Sequence, residues 1–369
     1  MVNLQCNHFT CTNISANTLI LNSAPCSNAQ DLPKAVFYNV GQGDMSLFIS
    51  KTGVVLLTDC NLTDYSLKKF DSNIKDSFEY KIFQELEKHN LHHISCFVIT
   101  HNHLDHYRGC IQLLERLNTK FSIEVDNILV PTSLYCHYCQ TKNQKFKVND
   151  IVKFISKYNS KVKVIEGSIK VKTQNSNDVL IYCYSPSFID QIHYSKIDKN
   201  YNSIVTYIIE ENCLYIFTGD AIVNKQKEYI TDLFNNKSLK LPQNSNKIDK
   251  VVLKVSHHGS YTGTDNDLIQ QIKTSVNSLN SKHKAKNGNL HKISFISCGN
   301  QYGLPDKETV NCLIHSKFYN HASDSKNSRN RNNELKKTAK LHNTTPKLLK
   351  LTPDSYKIKK NGIIKKINL

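Results

Sequence analysis

From Ala35 the chain breaks into short apolar runs, Ala35–Val40, Ser46–Ile49 and Val54–Thr58. Gly41-Gln42-Gly43-Asp44 and Lys51-Thr52-Gly53 separate them, which predicts consecutive strands joined by turns. Ile82, Phe83 and Leu86 share one face of a helix predicted over Phe78–Lys88. Ser95–Thr100 is a continuous apolar run, the pattern of a buried strand, and Cys110, Ile111, Leu113, Leu114 and Leu117 then recur at helical spacing. Strands are predicted again over Asn127–Val130, Val162–Ile165, Val179–Tyr184, Ser203–Ile209, Cys213–Thr218, Val251–Ser256 and Ile293–Ser297. Helices are predicted between them at about Asp150–Tyr158 and Asn224–Phe234. Strands alternating with helices over most of the chain mean an α/β architecture. Residues 1–33 read as a polar extension, and one domain is expected over 34–369. Within it, about 320–347 reads as a basic loop insertion, and Lys350–Leu351 with Gly362–Ile367 reads as a final hairpin.

Composition narrows the class. The chain has 369 residues, 39% of them apolar, enough to bury a substantial core. No uninterrupted apolar run reaches the roughly 18 residues of a membrane-spanning helix. The first thirty residues lack the basic start and apolar block of a secretory leader, so a cytoplasmic protein is expected. The 12 cysteines are scattered, and Cys96, Cys183, Cys213 and Cys298 sit inside apolar runs, which predicts reduced, buried thiols. Cys136-His137-Tyr138-Cys139 lacks the second cysteine pair of a zinc knuckle. The net charge of +17 favours polyanionic partners: nucleic acid, nucleotides or an anionic membrane surface. A Lys-, Asn- and Ile-rich composition is also what an A+T-rich genome produces. Arg329, Arg331, Lys336 and Lys337 lie in a stretch that suits either a phosphate-backbone contact or a solvated loop.

The densest chemistry lies in His101-Asn102-His103-Leu104-Asp105-His106, directly after the Ser95–Thr100 run and before a helix. Three imidazoles and a carboxylate at a strand end form a metal-ligand set suited to Zn, Mn or Fe. His101 and His103, two residues apart, can bind one ion. Asp105 and His106, at the helix start, can serve a second.

This His-x-His-x-Asp-His run resembles the second signature of the metallo-β-lactamase superfamily. Other stretches match in order. Leu57-Thr58-Asp59-Cys60 resembles the strand ending in Asp. Phe217-Thr218-Gly219-Asp220-Ala221 resembles the Thr-Gly-Asp segment, and Lys254-Val255-Ser256-His257-His258-Gly259-Ser260 resembles the late strand that brings a last His. Asn39-Val40-Gly41-Gln42-Gly43-Asp44, Asn202-Ser203-Ile204-Val205 and Ser297-Cys298-Gly299-Asn300 with Tyr302-Gly303 are similar to the stand-alone ComEC-like hydrolase branch. The membrane channel of those DNA-uptake proteins is expected to be absent. The chain departs from the pattern twice. Asn202 stands in the region where many members place a lone His, with His193 out of register, and Leu304-Pro305 stands where the branch often has His-Pro.

The resemblance implies an αββα sandwich, two mixed β-sheets flanked by helices. It implies two divalent metal ions, Zn or Mn, held by His101, His103, Asp105, His106, Asp220 and His258, with Asp220 bridging. Asp105, His257 and His258 are the implied catalytic groups. Asp59, Asp44 and Asn202 are expected in the second shell or at the rim, Asp59 fixing an imidazole tautomer. If His257 and His258 continue a strand, only one can face the site, because neighbours alternate faces. The expected activity is a metal-dependent phosphodiesterase or nuclease acting on single-stranded DNA or other nucleic acid. The alternatives are a hydrolase of a small ester, lactone or nucleotide, and a binding protein with weak catalysis.

Overall fold

The computed structural model describes residues 18–23, 26, 32–135, 150–173, 176–187, 199–236, 239–243, 245–285, 290–297, 303–322, 350–351, 356–358 and 364–366. The Cys136–Cys139 motif, His193, Cys298 and the four basic residues Arg329, Arg331, Lys336 and Lys337 lie outside the described residues, as does most of the 320–347 insertion.

In chain order the strands are β1 (Thr18–Leu21), β2 (Lys34–Phe37), β3 (Ser46–Ile49), β4 (Val55–Thr58), β5 (Cys60–Asn61), β6 (His93–Ile94), β7 (Cys96–Val98), β8 (Glu124–Val125), β9 (Ile128–Pro131) and β10 (Val162–Ile165). They continue as β11 (Gly167–Thr173), β12 (Ser176–Ser185), β13 (Val205–Glu210), β14 (Cys213–Phe217), β15 (Lys250–Lys254), β16 (His291–Ile296), β17 (Tyr319–Ala322), β18 (Lys350–Leu351), β19 (Tyr356–Ile358) and β20 (Ile364–Lys366). The helices are α1 (Asp64–Ser72), α2 (Phe78–Glu87), α3 (Leu104–Tyr107), α4 (Cys110–Phe121), α5 (Asp150–Lys157), α6 (Val223–Asn235), α7 (Asn266–Lys282) and α8 (Lys307–His315).

Two large mixed sheets form. The first runs β10-β9-β7-β4-β3-β2-β19-β20 and the second β1-β11-β12-β13-β14-β15-β16-β17-β18. β4, β7, β9 and β10 are parallel neighbours, as are β14, β15, β16 and β17. Parallel neighbours need crossover connections, and the helices supply them.

Three apolar layers fix the stacking. Phe37, Phe48, Leu56 and Val98 of the first sheet pack with Ile208, Tyr215, Phe217, Val252 and Phe295 of the second. Phe37 stacks on Phe295 at 4.5 Å between ring centroids. The opposite face of the first sheet (Val36, Leu47, Leu57, Phe97) packs with Ile82 and Leu86 of α2, Leu113 and Leu117 of α4 and Phe154 of α5. The opposite face of the second sheet (Tyr207, Ile209, Leu214, Leu253) packs with Ile230 and Leu233 of α6, Leu268 and Ile272 of α7 and Leu313 of α8. The result is the αββα sandwich that the resemblance implied. Central strands such as β13 and β14 are buried along their whole length, which is why they read as continuous apolar runs rather than alternating ones.

Several elements differ from the sequence expectation. Thr18–Leu21 pairs in parallel with β11, so part of the polar leader is built into the second sheet. The final hairpin is formed by β19 and β20, which join the first sheet beside β2, while Lys350–Leu351 joins the second sheet beside β17. The strand before His257 ends at Lys254. Among the described residues no helix is long and apolar enough to cross a membrane. Cys26, Cys60, Cys96, Cys110, Cys183, Cys213 and Cys312 are free thiols.

Two positions carry testable strain or cost. Gly219 has φ +51°, and a Cβ there would lie 2.8 Å from Thr100 Cβ, on the facing sheet's strand end. Gly219→Ala is expected to destabilise the chain by roughly 1–3 kcal/mol in thermal unfolding, and an unchanged midpoint would contradict this close approach. Glu210 is buried at the end of β13. Its Oε1 accepts from the Lys51 backbone N–H at 2.8 Å, and Oε2 has no hydrogen-bond partner. Burial pushes its carboxyl well above the ordinary value of 4.5. The folded chain therefore keeps this proton to higher pH than the unfolded chain, so this group's contribution to stability falls as pH rises above 4.5. Glu210→Gln should raise stability in urea at pH 7 by about 1 kcal/mol and lose that advantage near pH 4. A variant less stable than the parent at pH 7 would refute the reading.

Candidate metal centre

Four strand ends meet at one edge of the sandwich: β4 and β7 from the first sheet, β14 and β15 from the second. The residues just past each end form the site, as expected at the carboxyl ends of parallel strands.

Asp59 follows β4 with φ +57°, a left-handed conformation that Asp tolerates better than most side chains. Its backbone N–H donates to Val98 O at 2.8 Å. Its carboxylate accepts from Thr100 N–H and Thr100 Oγ1–H, both at 2.8 Å, and from His106 Nδ1–H at 2.8 Å. The single Thr100 hydroxyl hydrogen goes to Asp59, so at His101 Nδ1, 3.1 Å away, that hydroxyl can only accept. His101 is thereby fixed with its proton on Nδ1, and its Nε2 accepts from His103 Nδ1–H at 2.9 Å.

His106 is fully buried on the one-turn helix α3. With Nδ1 tied to Asp59, its Nε2 points at Asp220 Oδ2, 3.3 Å away. Asp220 follows β14 and is itself buried, with its backbone N–H donating to Ser203 Oγ at 3.3 Å. His258 enters from beyond β15. His257 and His258 sit in a short 3-10 turn, both with left-handed φ (49° and 53°), so strand alternation does not govern them. His258 is buried, donates Nδ1–H to Ser297 O at 3.0 Å, and places Nε2 3.2 Å from Asp105 Oδ2 and 3.6 Å from Asp220 Oδ2. His257 is half-exposed beside Thr262 Oγ1 (3.2 Å) and Asn200 Nδ2 (3.2 Å).

The other expected residues fall around this cluster. Asp44 is not on the rim: it is buried, and it accepts from Lys254 Nζ and Ser297 Oγ. Its backbone N–H donates to Asp105 O at 3.2 Å. Gly43 makes that approach possible, because a Cβ on it would lie 2.6 Å from Asp105 O. Asn202 is buried with no hydrogen-bond partner for Oδ1, next in sequence to Ser203, whose hydroxyl meets Asp220. Sequence reasoning missed Thr100, Ser203, Asn61, Lys254 and Ser297. Asn61 Nδ2 donates to Val40 O (3.2 Å) and Gln42 O (2.6 Å), fastening the Gly-Gln-Gly-Asp turn. A lysine inside the apolar run Val251–Val255 was the one available signal for Lys254.

Electrostatics follow from this crowding. Burial opposes charge on His106, but Asp220 and Asp59 outweigh it and hold its imidazolium well above the histidine range. His258 is raised likewise, burial being overcome by Asp220 and Asp105. His101 is pushed well below that range by burial and by the neighbouring His106 charge. For Asp220, burial favours the neutral acid, but the His106 and His258 charges prevail and keep it ionised. Protons on His106 and His258 offset only part of the charge of the four clustered carboxyl groups.

The donor set fits a divalent cation. His106 Nε2, His258 Nε2 and Asp220 Oδ1 are buried without a hydrogen-bond partner, a costly arrangement unless another group meets them. One ligand atom each from His101, His106 and Asp220 lie within 4.8 Å of one another, and so do those of Asp105, His106 and His258. Imidazole nitrogen and carboxylate oxygen are the donors Zn and Mn take. His103 is half-buried with its ring 4.6 Å from that of His101, outside both groups.

No protein-family model matches the chain, and no curated protein sequence matches it. Among solved structures, it is similar to CmlA, a diiron β-hydroxylase from Streptomyces venezuelae, with 12% identity and a TM-score of 0.36 over 89% of this chain and 54% of that one. The chain thus spans about half the length of that protein. It is also similar to a diphosphatase of the PhnP family, with 13% identity and a TM-score of 0.31 over 75% of this chain and 91% of that one.

Proposed function

We propose that the chain is a metal-dependent hydrolase acting on phosphodiesters, with nucleic acid, single-stranded DNA first, as its substrate class. The observation that carries the reading is the convergence of the buried ligand atoms of His106, His258 and Asp220 on one small volume. His101, His106, Asp220, Asp105 and His258 would hold the metal. A divalent cation there supplies Lewis acidity toward a phosphoryl oxygen and makes water a nucleophile near neutral pH.

The chain's own groups do the rest. Asp59 and Thr100 hold His106 with its proton on Nδ1, so that Nε2 faces inward. Asp105, paired with His258 Nε2 at 3.2 Å, has the more exposed carboxylate of the cluster and is placed to orient an attacking water. Half-exposed His257, beside Thr262 and Asn200, is the imidazole we assign to the leaving oxygen. The net charge of +17 supports an anionic substrate.

Protein stripped with chelator should regain a divalent ion from Zn²⁺ or Mn²⁺ solution, measured by elemental analysis after desalting. Asp220→Asn should bind that ion at least about tenfold more weakly. An Asp220→Asn variant that binds the ion as tightly as the parent, or a parent that takes up no metal, would overturn the site reading. Metal-loaded protein should cut labelled single-stranded DNA, and Asp105→Ala should slow cutting about a hundredfold or more. A metal-loaded parent that leaves DNA intact yet hydrolyses a small ester would move the substrate assignment away from nucleic acid.

A further inference from the structure

A buried lysine lies directly behind an acidic cluster of candidate metal ligands, which is the opposite of what metal binding alone asks for. Lys254 ends β15 in the second sheet and is 4% exposed. Asp44, also 4% exposed, lies in the turn that leads into β3 of the first sheet. The Lys254 ammonium donates to Asp44 Oδ2, so the pair spans the seam between the sheets. The other Asp44 oxygen accepts from Ser297 Oγ. Ser297 in turn offers its carbonyl to His258 Nδ1 at 3.0 Å. Asp44 also lies 3.9 Å from His106 Nδ1 and 3.8 Å from His258 Nδ1, behind both rings whose Nε2 atoms face the candidate metal position.

Asp44 has the reach to join the ligands. Its carboxylate can be grouped with Asp220 and His258, or with Asp59 and His106, within 4.8 Å. Both of its oxygens are instead engaged, one by a cation and one by a hydroxyl. Resting on the metal-site reading above, we propose that Lys254 is a positioning residue that withholds Asp44 from the metal. The neutralised Asp44 then works through Ser297 to hold His258 in its Nδ1–H form. The pair sets how strongly the site attracts a cation, because each member cancels the field of the other at a distance where a buried charge is weakly screened.

The two charges predict opposite effects, which a purely structural role does not. Zn²⁺ and Mn²⁺ affinities of the full chain would be measured by chelator competition, with folding checked by circular dichroism. Lys254→Met frees Asp44 and should tighten metal binding about tenfold or more, while Asp44→Asn leaves the lysine uncompensated and should weaken it by a similar factor. The double variant Asp44→Asn/Lys254→Met removes both charges and should bind metal close to the parent level. Should Lys254→Met not fold, the comparison of Asp44→Asn with the double variant still decides, since deleting the lysine must recover the lost affinity. Equal affinities in parent, Asp44→Asn and double variant would overturn the proposal. So would a loss in the double variant as large as in Asp44→Asn. A parent that binds no metal would instead overturn the metal-site reading itself.

Discussion

Buried carboxylates at the seam of two sheets are the constraint around which this molecule is arranged. Asp44, Asp59 and Asp220 are each under 5% exposed, and Asp105 joins them from a half-buried position. A dry interior does not hold such charges uncompensated. The chain meets the demand with specific partners: Thr100 and His106 on Asp59, Lys254 and Ser297 on Asp44, His106 and His258 around Asp220. Nearly every loop at this edge is shaped by one of these contacts. The left-handed turn at Asp59, the glycine at position 219 and the turn at His257–His258 each deliver a charged or imidazole group to the same small volume.

The two sheets contribute unequal halves of the centre. The first sheet supplies His101, His103, Asp105 and His106 on one continuous segment after β7, with Asp59 from the neighbouring strand. The second supplies Asp220 and His258 from separate parallel strands. The His101–His106–Asp220 and Asp105–His106–His258 groups each draw donors from both sheets, so the aromatic interface between the sheets also sets the spacing of those donors. Phe37, Phe217 and Phe295 pack directly beneath, with Phe37 between the other two at 5.9 and 4.5 Å. Cores transmit small volume changes because they are close-packed, and a shift at these rings would be felt as a change in donor distances. This ties the stability of the sandwich to the geometry of its edge.

Much of this was legible in the sequence, and the failures have physical causes. The strands Ser46–Ile49 and Val162–Ile165 match their expected bounds because they are short, apolar and bounded by turn residues. The His101–His106 segment announced itself through residue type alone. Helix α7 was passed over because its buried Leu268, Ile272, Val276 and Leu279 are interleaved with Asn, Ser and Thr, which dilute the apolar stripe. Strand β1 was read as leader because only a sheet edge, invisible in local pattern, gives Leu19 and Leu21 something to cover. The final hairpin was misplaced because the return of the chain to β2 is a contact across some three hundred residues. At the site, expectation followed the candidate ligands and Asp59, which holds His106, and missed the hydroxyl groups that hold the rest. Thr100, Ser203 and Ser297 are ordinary residues whose importance arises only when folding brings them under a carboxylate or imidazole.

The contrast between local and global charge gives the last step. The chain is strongly basic overall, yet its densest cluster is acidic. An anionic substrate drawn by the outer field would meet carboxylates at the centre and be repelled at close range, where the low dielectric makes like charges costly. Under the proposed function, a cation at the centre would reverse that local sign: a chain of net charge +17 would draw an anion, and a metal-filled centre could receive it. The same reasoning explains why a lysine is useful beneath the cluster rather than beside the substrate. There it trims the negative field by one charge without occupying a ligand position, and leaves His258 and Asp220 to face the cation.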